Sequence, residues 1–448
     1  MKSTLPAHNS VLGSGDSRQT AMSEQPQSSD SYRWLVIVML WMVCFFSYAD
    51  RQAFFSVFPL LQKGMKLTSV QLGLLGSSFA VVYGLGGPFA GALVDRIRRK
   101  TAILGGFEIW SVVCMASALA RNFVQLFLFR AAEGLGETIY YPAALSMVSD
   151  YHGRRTRSRA MGALQTSVYA GTVGGGYWAG AIAQQHGWRA ALLVFGVLGA
   201  VLGLVLIRML REPMRGAADF ETPLQGRSHA MSLQTLRTLV ANRSLLALTG
   251  VFACANFVAM VLLAWMPMFL YSKFHLSLGL AAFNAAVYPQ IASMGGSFCG
   301  GWFADLFAQR TRCGRVMVQC GGVVFAAPFV VICGLSGSLR TVIFALIGWG
   351  FFKGIYDSNI FASAFDVVPA EVRGVVGGSM NCAGWLVGAG ISPVLIGFLA
   401  GFMPLGNAIA LSSIIYWAGA ALLLVTMAFL LDGDIDRLSQ LKKKRLPQ

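Results

Sequence analysis

Apolar runs of about 20 residues or more recur along nearly the whole chain, separated by short polar breaks. Twelve are legible, near 34–58, 70–94, 101–120, 123–150, 158–184, 188–208, 245–271, 280–305, 316–335, 340–368, 374–401 and 407–431. At 1.5 Å rise per residue, each is long enough to cross a hydrocarbon core of about 30 Å as a helix. The longest polar interruption, about Arg208 to Arg243, divides them six and six. The pattern predicts an all-α membrane protein with twelve transmembrane helices in two six-helix bundles. The expected units are a disordered polar extension (1–31), a first bundle (32–208), a linker (209–243), a second bundle (244–431) and a basic tail (432–448).

The two halves are related in sequence. Gly91-Ala92-Leu93-Val94-Asp95 closes span 2, and Gly301-Trp302-Phe303-Ala304-Asp305 closes span 8, 210 residues later. Gly134 to Asp150 matches Gly350 to Asp366 at an offset of 216, which sets Tyr140 on Tyr356, Gln165 on Asn381 and Glu137 on Lys353. Two pseudo-symmetric bundles around a central cavity is the architecture of a secondary transporter, with its site near the bilayer midplane.

Composition supports the membrane reading. The chain is 56% hydrophobic and 12% charged, with mean hydropathy +0.62, too little polar surface for a soluble domain of 448 residues. The net charge of +16 is distributed by topology: with the N-terminus inside, the inner segments hold 26 of the 35 Lys and Arg, the outer loops six, and the spans three. Clusters such as Arg96-Ile97-Arg98-Arg99-Lys100 adjoin helix ends, where the positive-inside bias acts. This implies a multi-pass protein of the inner (plasma) membrane with both termini cytoplasmic, a lipid bilayer as its partner and no nucleic acid. The eight cysteines follow no ligand spacing, no HExxH or Ser/His/Asp grouping occurs, and neither an enzyme nor a metal site is expected. A monomer without a cofactor is expected, the proton serving as coupling ion.

The candidate chemistry lies where charge is expensive. Asp50 and Arg51 sit in the first run, and Arg130, Glu133 and Glu137 share a helical face in the fourth. Intramembrane charges normally pair or act on a substrate. Arginine offers a carboxylate a planar fork of donors that lysine lacks, so Arg51 and Arg130 are candidate ligands for an organic anion. Poorly solvated carboxyls gain proton affinity, so Asp50 and Glu137 are candidates for proton coupling. Each has a structural alternative: Asp50–Arg51 as a helix-joining ion pair, Arg130–Glu137 as an internal brace. Tyr48 and Tyr83 suit substrate hydroxyls or plain packing; Gln165 and Asn381 suit a polyol or a glycine-rich bend. Lys353 and Asp357, four apart in span 10, read first as a salt bridge, yet Lys353 is the counterpart of Glu137 and is expected to face the cavity. Glu108 has no clear partner.

The stretch Gly87-Pro88-Phe89-Ala90-Gly91-Ala92-Leu93-Val94-Asp95-Arg96-Ile97-Arg98-Arg99-Lys100 resembles the signature between helices 2 and 3 of the major facilitator superfamily, with Arg98 where that signature usually has glycine. The resemblance implies gating roles for Asp95, Arg96 and, in the second half, Asp305. Tyr48-Ala49-Asp50-Arg51, Tyr83, Arg130 to Glu137 and Trp265-Met266-Pro267 are similar to the anion:cation symporters within it. That implies proton-coupled symport of a small organic anion such as a sugar acid, with proton coupling at Asp50 and Glu137. Gly134-Leu135-Gly136-Glu137 and Ser146-Met147-Val148-Ser149-Asp150 are also similar to the Spinster-like transporters, which implies a lipid or lysolipid cargo as the alternative.

Overall fold

The structure, a computed structural model, describes residues 30–94, 96–153, 156–213, 241–369 and 372–445. In the first half, span 1 is Asp30–Ser56, continued past a break at Val57 by Phe58–Gly64. Span 2 is Ser69–Val94, span 3 Arg99–Ser117, span 4 Phe123–Tyr151, span 5 Arg157–His186 and span 6 Trp188–Met209. In the second half, span 7 is Arg243–Phe274, span 8 Leu278–Ala308, span 9 Gly314–Leu335, and span 10 Leu339–Asp357 with Ile360–Asp366. Span 11 runs Arg373–Ala383, through a π-helical turn at Gly384–Ala389, into Ser392–Leu399. Span 12 joins Leu405–Leu411, Ser413–Val425 and a second π turn, Thr426–Leu430; Leu431–Arg445 follows. Of the extension expected over 1–31, residues 1–29 lie outside the described residues, as does most of the linker expected over 209–243, residues 214–240.

Local chemistry places the helix starts. Asn122 and Asn242 accept hydrogen bonds from the Gln125 and Leu245 amides at 2.9 and 2.8 Å, capping spans 4 and 7. Gly187, at φ 82°, turns span 5 into span 6 in a left-handed conformation. Among the described residues, eight helices or helix runs are long and apolar enough on their own to cross a membrane. Spans 3, 4, 5 and 8 fall outside that set, although they have 19, 29, 30 and 31 residues. Charged, polar and glycine residues dilute their apolar character, and several of them, such as Arg130, Glu133 and Glu137 of span 4, are buried in the protein. The exterior is apolar, with Phe89, Phe298 and Phe429 about four-fifths exposed, as a lipid-facing surface requires.

The sequence repeat reappears as packing. An added Cβ on Gly134 would lie 2.9 Å from the Phe79 carbonyl oxygen; on Gly350, 2.4 Å from that of Pro289. Residues 79 and 289 differ by 210 and residues 134 and 350 by 216, so spans 2 and 4 meet as spans 8 and 10 do. Likewise Arg99 pairs with Asp150, and Arg315 with Asp366 at 2.7 Å, both at the basic face and both displaced by 216. Tyr140 and Tyr356 are both fully buried.

The halves meet from mid-depth to the face opposite the basic one. Gly73 lies against the Pro393 backbone, Gly180 against Gly279, Gln52 Nε2 donates to the Leu263 carbonyl (3.3 Å) and the Leu278 amide donates to Gln184 (2.9 Å). Spans 1 and 5 approach most closely where a Cβ on Gly175 would fall 2.2 Å from Ala49 Cα. Here small residues let backbones touch. We expect Gly175→Val to force spans 1 and 5 apart beside Asp50, costing at least about 1–3 kcal/mol by overpacking. Thermal unfolding in detergent checks this; an unshifted midpoint would contradict the packing.

Candidate functional site

Span 1 presents Ser47, Arg51 and Phe54 at helical spacing; span 4, running the other way, presents Arg130, Glu133 and Glu137. The two ladders interlock. Glu137 Oε1 accepts from both Ser47 Oγ and Arg51 Nη2, and the Arg130 guanidinium lies over the Phe54 ring at 4.0 Å. Arg51 and Glu137 are each about 4% exposed, so the ion pair is nearly dry. Around the Arg51 guanidinium stand Tyr48, Phe79, Trp385 and Tyr83, at 4.7, 4.8, 4.9 and 5.5 Å from the ring centroids. Arg51 Nε has no hydrogen-bond partner. An arginine in an aromatic box, with one face of its fork held by a carboxylate, is a site where a second carboxylate can compete.

The pairing differs from a stacked Arg130–Glu137 brace. Arg130 Nη1 binds Glu133, three residues on; Glu137 lies two turns away, about 10.5 Å along the axis, and meets span 1 instead. Asp50 and Arg51 do not pair either. Consecutive helical residues point about 100° apart, and Asp50 turns to span 3, where it accepts from Trp110 Nε1 (2.9 Å) and Cys114 Sγ (2.8 Å). Glu133 also accepts from Ser117 Oγ at 3.0 Å. Span 1 therefore carries two separate sites on adjacent faces.

Tyr48 and Tyr83 are both brought to Arg51, and Tyr83 touches Trp385 of the second half, 4.7 Å between ring centroids. Gln165 is exposed on a cleft of about 110 Å³ shared with Cys44, Tyr141, Leu145 and Met161. Asn381 is exposed one turn before Trp385. Lys353 binds Asp357, the salt bridge expected from their spacing, with about a quarter of its side chain open. At the basic face Arg96 is exposed in a turn, and Asp305 lies 3.9 Å from Arg315, whose other nitrogen holds Asp366. Asp95 lies outside the described residues. Glu108 Oε1 is buried without a hydrogen-bond partner, against Gly203, where a Cβ would come within 2.1 Å of it.

Ser47, Phe79, Trp110, Cys114 and Trp385 are partners that the sequence pattern does not single out as site residues. Trp385 had one available signal, its place four residues after Asn381 on the same helical face. Cys114 had none; it reads as one more buried small residue in an apolar run.

Comparison with known proteins agrees with this architecture. The family pattern described as Major Facilitator Superfamily matches residues 40–393. A probable galactarate/D-glucarate transporter of Escherichia coli (strain K12) is 25% identical over 447 residues, covering 94% of this chain and 97% of that protein. The hexuronate transporter of Bacillus subtilis (strain 168) is 24% identical, covering 81% and 87%. Protein spinster of Drosophila melanogaster is 27% identical over 71% of this chain, which spans about half (53%) of that protein's length. In three dimensions, the crystal structure of a bacterial homolog of the human lysosomal transporter Spinster, inward-facing and unoccupied, matches with TM-score 0.78 at 22% identity, covering 91% of this chain and 98% of that one. With that family pattern matched over residues 40–393 and transporters aligned along nearly its whole length, the chain is a multi-pass membrane transporter and not an enzyme, and it belongs to the major facilitator superfamily.

Proposed function

We propose that this protein is a proton-coupled symporter of a small organic anion, a sugar acid or related carboxylate, working by alternating access in the inner membrane with its basic face in the cytoplasm. The observation that carries the reading is the buried Arg51–Glu137 pair inside an aromatic box at the junction of the halves. In the proposed cycle a proton neutralises Glu137, which releases the Arg51 fork. The freed guanidinium then takes the substrate carboxylate while Tyr48, Tyr83 and Trp385 lie against the carbon skeleton. For a monocarboxylate cargo the proton and the anion cancel, so the loaded cavity closes without burying net charge. The amides of Gln165 and Asn381 serve hydroxyls of the cargo, and Arg130 holds span 4 beside Arg51 as a second anion ligand. Asp95, Arg96 and Asp305 act as latches on the basic face. The positive-inside bias supports the orientation, and a single copy of the chain suffices for the cycle.

The sugar-acid names of relatives aligned along nearly the whole chain support the cargo class. A lipid or lysolipid cargo is the second reading, supported by the similarity to Protein spinster and to the Spinster homolog's fold. The buried guanidinium of Arg51, which suits a carboxylate, supports the first. Counterflow in proteoliposomes against galactarate, glucarate, hexuronates, aromatic acids and lysolipids tests it. Sugar acids are expected to compete; competition by lysolipids alone would overturn the reading.

Lys353 extends the site into the second half. Replacing it with methionine removes one cation and leaves Asp357 unpaired. Uptake is expected to fall about tenfold, the effect of about 1.4 kcal/mol, with the protein still reaching the membrane. Unchanged uptake at equal protein level would refute a substrate role.

A further inference from the structure

Five ionisable side chains lie buried together at mid-depth, Asp50, Glu133 and Glu137 against Arg51 and Arg130. Arg51 and Glu137 balance each other. The rest of the set, Asp50, Glu133 and Arg130, has two carboxyls for one cation. Those carboxyls are close: an oxygen of Asp50, an oxygen of Glu133 and Cys114 Sγ all lie within 4.8 Å of one another. Two carboxylates at that range, shielded from water, resist ionising together.

Their partners fit a single negative charge. Arg130 commits Nη1 to Glu133, while its Nε and Nη2 are buried without any acceptor. Asp50, in the same cluster as those two unspent donors, is held by neutral groups instead, Trp110 Nε1 and Cys114 Sγ. The titratable and charged groups around the pair are Arg51 on span 1, Tyr83 on span 2, Cys114 on span 3, and Arg130 and Glu137 on span 4. Span 6 brings the Leu192 carbonyl oxygen to 3.4 Å from Cys114 Sγ, and span 5 meets the region through Gly175 against Ala49. None of these supplies a second cation free to match Asp50.

We propose that Asp50 and Glu133 share one proton, so that Glu133 is a proton-carrying group of this transporter in addition to Glu137. This rests on the proton-coupled reading above. It places the second proton on a face of span 1 turned away from the anion's arginine. Neutralising either carboxyl leaves the other ionised against Arg130.

The test is infrared spectroscopy of the purified full-length protein at neutral pH, wild type against Glu133→Gln and Asp50→Asn. The wild-type-minus-variant difference is expected to contain one protonated-carboxyl C=O band, sensitive to H/D exchange, in both variants, because each loses the shared proton. A band missing from both differences, or present in only one, overturns the sharing. Proton-driven accumulation by the wild type of whichever sugar acid competes best in counterflow is measured in parallel. A wild type that does not accumulate overturns the coupled reading and, with it, the transport role of the pair, whereas a wild type that accumulates without the paired band overturns only the present proposal.

Discussion

Arg51→Lys is expected to abolish substrate uptake while leaving a charged residue at position 51. Lysine keeps the charge but loses the planar fork, so it cannot grip the cargo carboxylate through two parallel hydrogen bonds once Glu137 is neutralised. It also loses the flat contact with Tyr48, Phe79, Tyr83 and Trp385. A charge-assisted hydrogen bond contributes about 1.5–3 kcal/mol and a desolvated cation–π contact about 0.5–2 kcal/mol. Together these give a loss of roughly 2–5 kcal/mol, or at least about thirtyfold in affinity. The measurement is radiolabelled uptake at matched protein level. Uptake by Arg51→Lys within a few-fold of wild type would mean that the anion does not rely on the fork.

The second large effect separates coupling from binding. Glu137→Gln is expected to lose uphill, proton-driven accumulation and to retain exchange. Glutamine resembles the protonated acid in shape and charge but cannot gain or lose a proton. Arg51 is then permanently released from its carboxylate, and Ser47 keeps an oxygen acceptor. In the wild type, exchange depends on the protonated form, so it is expected to rise as pH falls. In the variant it is expected to be flat with pH. Removing a buried carboxylate also strands Arg51 among aromatic rings, and breaking a buried pair from one side costs about 3–5 kcal/mol. Retained exchange therefore also reports that the variant is folded. Uphill accumulation by Glu137→Gln would contradict the assigned role.

Much of the fold is legible in the sequence because membranes leave the backbone few options. Apolar run length marks the spans, and the offsets of 210 and 216 mark the halves. The same offsets reappear as matching backbone contacts at Gly134 and Gly350 and as matching ion pairs at Arg99 and Arg315. The site is legible as a set of residues but not as a set of partners. Helical periodicity places Arg130, Glu133 and Glu137 on one face, yet which one faces Arg51 depends on how far span 4 slides along span 1. That register is fixed by tertiary contacts such as the Tyr140 hydroxyl donating to the Leu40 carbonyl at 2.9 Å, which periodicity does not encode. For the same reason Asp50 turns to Cys114 and Trp110 on span 3, and Trp385 reaches Arg51 from the other half. Neighbours in sequence part company on a helix, and distant residues meet.

The central claim is that one proton enters with each anion because Glu137 must be neutral for Arg51 to bind cargo. Proteoliposomes loaded with a pH-sensitive dye test it most directly, using an inward gradient of whichever sugar acid competes best in counterflow. The expected result is lumenal acidification driven by that gradient in the wild type and none in Glu137→Gln, with both proteins exchanging labelled substrate. Substrate entry into wild-type vesicles without acidification, or equal acidification by both proteins, would contradict the mechanism.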